Sequence, residues 1–393
     1  MKGLLKENLN LKDKKVLLRV DLNVPLKNAS VTETNRIEKI IPTIKFLLEK
    51  KAKIIIISHL GRPGGKIVPK LSLEPISKKM SEILNNNVVF LKDKIDEKLL
   101  DKLNSISNNS IVMLENLRFY KGEESNNLDF AKKLSKIADI YINDAFSCCH
   151  RAHASIEAIT NFLPSYFGIQ IIEEIDILKK LTSDIKKPVA CIIGGSKIST
   201  KIGVISNLIK KFDSIIIVGG MANTILKEIG FNIGKSICEN GCEKIVKKIF
   251  EDAKKYNCNI LYPSDLIVSK KLNTKGINKG IKKIQNDDII LDIGPETILS
   301  IKKIVSNSNT IFWNGPAGLF ENSLFENGTK EIAKIIADKT KKDKIFSVAG
   351  GGDTVAALNK FNLFKSFSFI STAGGAFLEF LEGKELPGIK TIN

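Results

Sequence analysis

The chain has 393 residues, 43% hydrophobic and 26% charged, with a formal net charge of +18, which reads as a globular protein rather than a disordered one and leaves room for roughly two or three folded domains. No stretch reaches the roughly 18 apolar residues a membrane helix needs, and Met1–Glu7 has no apolar signal core, so the expectation is a soluble, unprocessed, cytoplasmic protein. Six scattered cysteines without Cys-x-x-Cys spacing read as reduced thiols rather than a disulfide framework.

Taken in order, the first half offers strands at Val16–Val20, Ile54–Ile57, Val88–Phe90, Ile111–Leu114 and Ile140–Ile142. The second offers Val189–Ile193, Ile215–Val218, Ile260–Tyr262, Ile289–Leu291, Ile311–Trp313, Ile345–Val348 and Phe367–Ile370. Helix-length amphipathic segments separate these runs. Short runs of continuous apolar residues suit strands covered on both faces, so the prediction is α/β: two Rossmann-like three-layer domains with mainly parallel sheets. Ile171, Ile175, Leu178 and Leu181 recur at helical spacing between Pro164 and Pro188 and predict a connecting hinge helix over 171–185. The flanking domains then cover 1–170 and 186–379.

Ligands of open α/β sheets bind beyond the carboxyl ends of the strands. In the first half those ends carry Asp21 and Asn23, then His59, Leu60, Gly61 and Arg62, then Arg118, then Asn143 and Asp144 before His150, Arg151 and His153. In the second half they carry Gly194, Gly195 and Lys197, then Gly219 and Gly220, then Asn314, Pro316 and Gly318, then Gly350–Thr354.

Of 61 basic residues only Arg19, Arg36, Arg62, Arg118 and Arg151 are arginine, all in the first 151 positions, and the three histidines, His59, His150 and His153, all lie in the first 153. Where lysine serves almost everywhere else, the remaining arginines mark places needing a planar bidentate fork for carboxylate or phosphate. The glycine loops instead suit backbone cradles for a larger phosphorylated ligand, and Asp353 beside one of them makes sense through Mg²⁺. Transfer between two anions follows.

The motifs RVDLNVP (19–25), SHLGRP (58–63), LENLRF (114–119), NDAF with HRAH (143–153), GGSKISTK (194–201), GGMANT (219–224), WNGPAGLFE (313–321), GGGDT (350–354), STAGGA (371–376) and ELPG (385–388) together resemble the phosphoglycerate kinase family over the full length. The resemblance implies reversible phosphoryl transfer between MgATP and the carboxylate of 3-phosphoglycerate, giving MgADP and 1,3-bisphosphoglycerate. It implies a monomer that closes about its hinge, with the tail 380–393 returning to the first domain. It places Asp21, Asn23, Arg36, His59, Leu60, Gly61, Arg62, Arg118 and Arg151 on the phosphoglycerate. Gly194, Gly195, Lys197, Lys201, Gly220, Asn314, Pro316, Gly318, Glu321, Gly351, Gly352, Asp353 and Thr354 fall on the nucleotide, with Asp353 toward the metal and Glu321 toward a ribose hydroxyl. Arg36, Lys197, Gly351 and Gly352 serve the transferring group.

A carboxylate acceptor is already ionised at neutral pH, so no general base is required. Arg19 reads as a partner for a neighbouring carboxylate, His150 and His153 as scaffold for the Arg151 loop, Trp313 and Phe119 as core, and Cys148–Cys149 as incidental. Gly230–Ser236 falls one residue short of a phosphate-binding Walker loop, and Val355 interrupts any G-x-G-x-x-G, which disfavours an NAD-linked oxidoreductase. Ser147–Cys149, Val218, Ala373 and Phe377 depart from the family pattern without touching a charged position. The alternative reading is a basic nucleic-acid binder without catalysis, although lysine is spread evenly and no aromatic-interleaved basic tract stands out.

Overall fold

The computed structural model describes residues 2–3, 9–107 and 110–392. Two compact units emerge: one runs to Asp176 and takes in the tail from Glu385, and the other spans Ile177–Lys384. The division falls inside the helix Ile169–Thr182. Residues 380–384 belong to the second unit.

The first unit is built on a six-stranded parallel sheet in the order Val88–Leu91, Ile111–Leu114, Lys53–Ile57, Lys15–Val20, Ile140–Asp144, Ser165–Phe167. Its strands form where β-branched residues run together, and its centre is buried on both faces as a parallel sheet requires. Helix Asn35–Glu49 buries Ile37, Ile40, Ile44 and Leu47, one stripe at helical spacing, in the cluster that holds Val16, Leu18, Val20, Ile54 and Ile56. The polar first turn of that helix carries Arg36.

Helix Ile169–Thr182 starts against this unit. Ile169 N–H donates to Thr43 Oγ1 (3.1 Å), Ile171 N–H donates to Asp144 Oδ1 (3.1 Å), and Thr43 Oγ1–H donates to Asp144 Oδ2 (2.6 Å). Orphan donors of the first turn are thereby satisfied, and the connecting helix is tied to the helix that bears Arg36. The tail buries Leu386, Ile389 and Ile392. Gly388 N–H donates to Cys149 O at 3.0 Å. A side chain at position 388 would meet Ile156 Cγ2 at 2.7 Å and Cys149 Sγ at 3.0 Å, so glycine there is a packing requirement.

The second unit has its own six-stranded parallel sheet, ordered Asn259–Leu261, Ser214–Ile217, Val189–Ile193, Thr310–Asn314, Phe346–Gly350, Phe369–Ser371. The chain winds outward from Val189–Ile193 in one direction and resumes from Thr310–Asn314 in the other, which makes the gap between them the topological switch point. One expectation needs correction. The run at Ile289–Leu291 is a strand (Ile289–Ile293), but it pairs antiparallel with Asp265–Ser269, which pairs in turn with Ile277–Gly280. Apolar composition reports burial and not the direction of the partner; Ile277–Gly280 is too short and polar to read from sequence, whereas the Leu266–Val268 run in Asp265–Ser269 is a strand signal that the sequence expectation omits. Among the described residues no helix is long and apolar enough to cross a membrane.

Candidate active site

In the first unit the sheet's carboxyl edge gathers a polar cluster. Arg36 Nη1 donates to Asp21 Oδ2, as does Ser147 Oγ–H, while Asp21 Oδ1 accepts from Asn23 N–H at 3.0 Å. Burial works against charge on Asp21, but the Arg36 guanidinium and the Ser147 and Asn23 hydrogen bonds hold its carboxyl well below the usual range. Asp21 is therefore an anion that aims Arg36. Asn23 Oδ1 accepts Gly61 N–H (3.0 Å), and Arg118 Nη1 donates to Gly61 O (2.7 Å). Gly61 has φ +62°, the left-handed region where glycine is at ease. Leu60 is buried, its carbonyl accepting from Asn116 Nδ2 at 2.7 Å.

Two further cations are left available. Arg62 and Arg151 are exposed, and among the described residues neither side chain makes a hydrogen bond or ion pair, which leaves both forks for a ligand.

Arg19 is fully buried and, among the described residues, pairs directly with no carboxylate. Its Nε donates to Ser155 Oγ (2.9 Å), its Nη1 to Val20 O, and its Nη2 to His59 Nδ1 (3.2 Å) and Cys148 Sγ (3.7 Å). Ser155 in turn binds the buried Glu123 through both Oγ–H (2.6 Å) and N–H (3.0 Å), so the expected pairing exists one hydroxyl removed. Cys148, read as incidental, accepts from Arg19 in this cluster, and Ser147, read as a departure that touches no charged position, donates to Asp21. Asp21, His59 and Cys148 bring ligating atoms within 4.8 Å of one another. Arg19 Nη2 already donates into that space, so the arrangement favours an anion over a metal cation. His153 is buried, and burial first, then Arg118, Arg19 and Arg151, push it down to about 4, which suits scaffold rather than proton transfer.

The second unit builds its site from backbone. At the switch point Gly194 N–H donates to Asn314 O (2.8 Å), and Lys201 Nζ donates to Gly194 O and Asn314 Oδ1, both at 2.5 Å. Asn314 Nδ2 donates to Gly350 O (2.7 Å), and Gly315 N–H donates to Thr354 Oγ1 (2.7 Å). The three loops are thus stitched together by side chains expected to face a nucleotide. Gly315 has φ +110°, and a Cβ there would lie 2.5 Å from Gly194 backbone atoms. Gly351, at φ +95°, would press a Cβ to 2.7 Å from Asn314 Nδ2. Burial pushes the Lys201 ammonium down to about 8.

A cavity of about 290 Å³ opens beside these loops, lined by Gly195, Gly220, Pro316, Gly318, Glu321 and Asp353, with Ile237, Leu291 and Asp292 among its other walls. Gly318 is a close approach, since a Cβ would lie 2.4 Å from Asp292 Oδ1. The antiparallel sheet supplies Leu266 and Ile290–Ile293 to this wall, a contribution no sequence motif announced. Asp353 is exposed in the first turn of helix Gly352–Lys360. No described residue hydrogen-bonds or ion-pairs with it, so its carboxylate fits the role of a Mg²⁺ ligand in a site completed by phosphate oxygens. Lys197 is exposed with no side-chain hydrogen bond or ion pair among the described residues. Trp313 is fully buried, donates Nε1–H to Gly315 O (2.8 Å) and stacks on Phe367, a core residue as expected.

The family model for phosphoglycerate kinase matches residues 6–384. The chain belongs to the phosphoglycerate kinase family. It is 46% identical over 387 residues to the phosphoglycerate kinase of Wolbachia pipientis subsp. Culex pipiens, covering 98% of each chain. It is 45% identical over 381 residues to that of Rhizobium meliloti, covering 96% of each. The solved structure of phosphoglycerate kinase from Coxiella burnetii superposes with a TM-score of 0.88 at 41% identity, covering 98% of this chain and 97% of that one. The crystal structure of the Pyrococcus horikoshii enzyme gives 0.85 at 29% identity, covering 100% and 98%. Membership makes this chain a phosphotransferase with a carboxyl group as acceptor. It lends no support to a non-catalytic nucleic-acid binder, and that reading is set aside.

Proposed function

We propose that this enzyme transfers a phosphoryl group reversibly between MgATP and the carboxylate of 3-phosphoglycerate, by direct in-line attack, with closure of the two units about the connecting helix. The observation that carries this reading is the presence in one chain of a braced arginine cluster and a separate glycine-lined cavity whose loops converge on Lys201 and Asp353.

The chemistry divides by charge. Arg62, Arg118 and Arg151 bind the phosphoglycerate, and Asp21 aims Arg36 toward the carboxylate that will attack. Two anions repel, so the barrier falls chiefly by alignment and by cations placed where charge develops. Arg36 and Lys197 take that role for the transferring phosphoryl, and the Gly351 and Gly352 backbone leaves room for it. Lys201 holds the nucleotide phosphates, and Glu321 accepts from a ribose hydroxyl. Mg²⁺, bound with the nucleotide through Asp353, supplies neutralisation of phosphate charge. Closure would also exclude water from a hydrolysable acyl phosphate. We further read the protein as a cytoplasmic monomer.

A coupled assay of 3-phosphoglycerate with MgATP tests the activity. The parent should turn over while Arg36→Ala and Asp353→Ala lose most of the rate; an inactive parent or fully active variants would overturn the reading. Small-angle scattering with both ligands tests closure, and an unchanged radius of gyration counts against it.

A further inference from the structure

The buried Arg19 guanidinium is explained by neither ligand binding nor a simple ion pair, and the direction of its hydrogen bonds determines the chemistry of its neighbour. Arginine carries donors and no acceptor. At 3.2 Å from Arg19 Nη2, His59 Nδ1 must therefore accept, which requires that nitrogen to be unprotonated. Asp21 Oδ1 stands 4.0 Å from the same nitrogen, beyond hydrogen-bond reach, so no carboxylate competes to put a proton there. A neutral imidazole has one proton to place, and with Nδ1 accepting it sits on Nε2.

Nε2 is also where His59 meets the outside. His59 is about 5% exposed. No described residue hydrogen-bonds to Nε2, yet Nε2 is absent from the buried, unpartnered side-chain atoms, so the small exposed part includes it. We propose that Arg19 is a positioning residue that locks His59 as a neutral imidazole donating Nε2–H to the anionic acceptor substrate, and that Ser155 and Glu123 hold Arg19 in place for this purpose. The proposal rests on the phosphoglycerate reading of this cluster.

Each link has one possible direction. Glu123 Oε1 and Oε2 accept from Ser155 Oγ–H and N–H. With its proton given away, Ser155 Oγ accepts Arg19 Nε. Val20 O takes Nη1, which leaves Nη2 for His59 Nδ1 and Cys148 Sγ. The groups facing His59 agree with a neutral ring: burial acts first, Asp21 alone favours the cation, and Arg19, Arg118 and Arg36 all oppose it, with the Cys148 thiol 4.0 Å away. A second proton would have to enter between Nδ1 and a guanidinium N–H. The benefit is a fixed hydrogen-bond donor in a site already rich in positive charge, one whose state does not change across neutral pH.

The test is long-range ¹H–¹⁵N NMR of histidine rings in the intact, unliganded protein, which has only three histidines; a His59→Gln sample identifies the signal. The expected result is an unprotonated Nδ1 and a protonated Nε2 for His59, without titration between about pH 5.5 and 8.5, spanning the ordinary histidine value. Added 3-phosphoglycerate should then shift Nε2 and its proton more than Nδ1. A proton on Nδ1, or titration near the ordinary value, overturns the proposal whether or not the enzyme turns over phosphoglycerate. In the same protein, Ser155→Ala should raise KM for 3-phosphoglycerate about fivefold, the effect of loosening one buried hydrogen bond, with kcat nearly unchanged, and Ser155→Thr should restore it. If Ser155→Ala leaves both KM and the ring spectrum as in the parent, Arg19 is not held for this purpose. If that variant fails to fold, the parent spectrum still decides.

Discussion

The two candidate sites in this chain offer an anion opposite kinds of partner. In the first unit charge is carried by arginine side chains, and precision comes from what braces them: Asp21 on Arg36, Gly61 O on Arg118, and Ser155 with Glu123 behind Arg19. In the second unit shape is carried by backbone, and the side chains of Lys201, Asn314 and Thr354 fasten one glycine loop to another. A small, dense anion is best read by planar forks that match its oxygens, whereas a long phosphorylated ligand needs a cavity and close main-chain approach. One site therefore tolerates little change in side-chain chemistry, and the other little change in backbone space.

Four experiments press on that contrast. The largest effect is expected at Arg36, where Arg36→Lys keeps the charge but loses the fork. Turnover should fall by about 10²-fold, toward the loss seen when one preorganised donor to a developing charge is removed, and a rate within twofold of the parent would mean that charge alone suffices. Next comes Gly315→Ala. With φ at +110° and Gly194 backbone at 2.5 Å, it should cost about 1–3 kcal/mol of stability and weaken nucleotide binding, read by thermal denaturation and calorimetry; an unchanged melting temperature would show that the loop yields easily.

A third, smaller effect concerns pH. Lys201 loses its proton as pH rises through about 8, and a bound phosphate would favour the protonated form. Affinity for MgADP should thus be full below that value and fall above it, by at most about tenfold per pH unit for a single linked proton. Lys201→Arg should flatten the profile if it binds at all, and a flat parent profile from pH 7 to 9.5 would remove Lys201 from the phosphates. The smallest effect is expected for Trp313→Phe, which deletes the Nε1–H to Gly315 O bond behind the site. Stability should drop by about 1 kcal/mol for that bond plus a packing loss, while nucleotide affinity holds. A large affinity loss would mean that Trp313 is more than core.

Much of this arrangement was legible from residue type and order. Buried strands announced themselves through β-branched runs, and the scarcity of arginine singled out Arg19, Arg36, Arg62, Arg118 and Arg151. Glycine at 315 and 351 was legible as loop chemistry, though only the tertiary structure shows what each must admit: the Gly194 backbone at 315 and the Asn314 side chain at 351. What escaped depended on partners far away in sequence. Ser155 and Arg19 lie 136 positions apart, and Ser147 reaches Asp21 across 126, so neither residue carried a local signal. The antiparallel strands behind the cavity were hidden because strand direction is a property of the pair.

By itself the sequence determined the α/β class, the family, and which half carries forks and which carries cradles, because these follow from periodicity, composition and local motif chemistry. Only the tertiary structure decided that Arg19 faces a histidine rather than a carboxylate, that Asp292 and an antiparallel sheet wall the cavity, and that Lys201 is buried enough to lose its proton near pH 8. Hydrogen-bond direction, desolvation and close backbone approach arise between distant segments, and they exist only once the chain has brought those segments together.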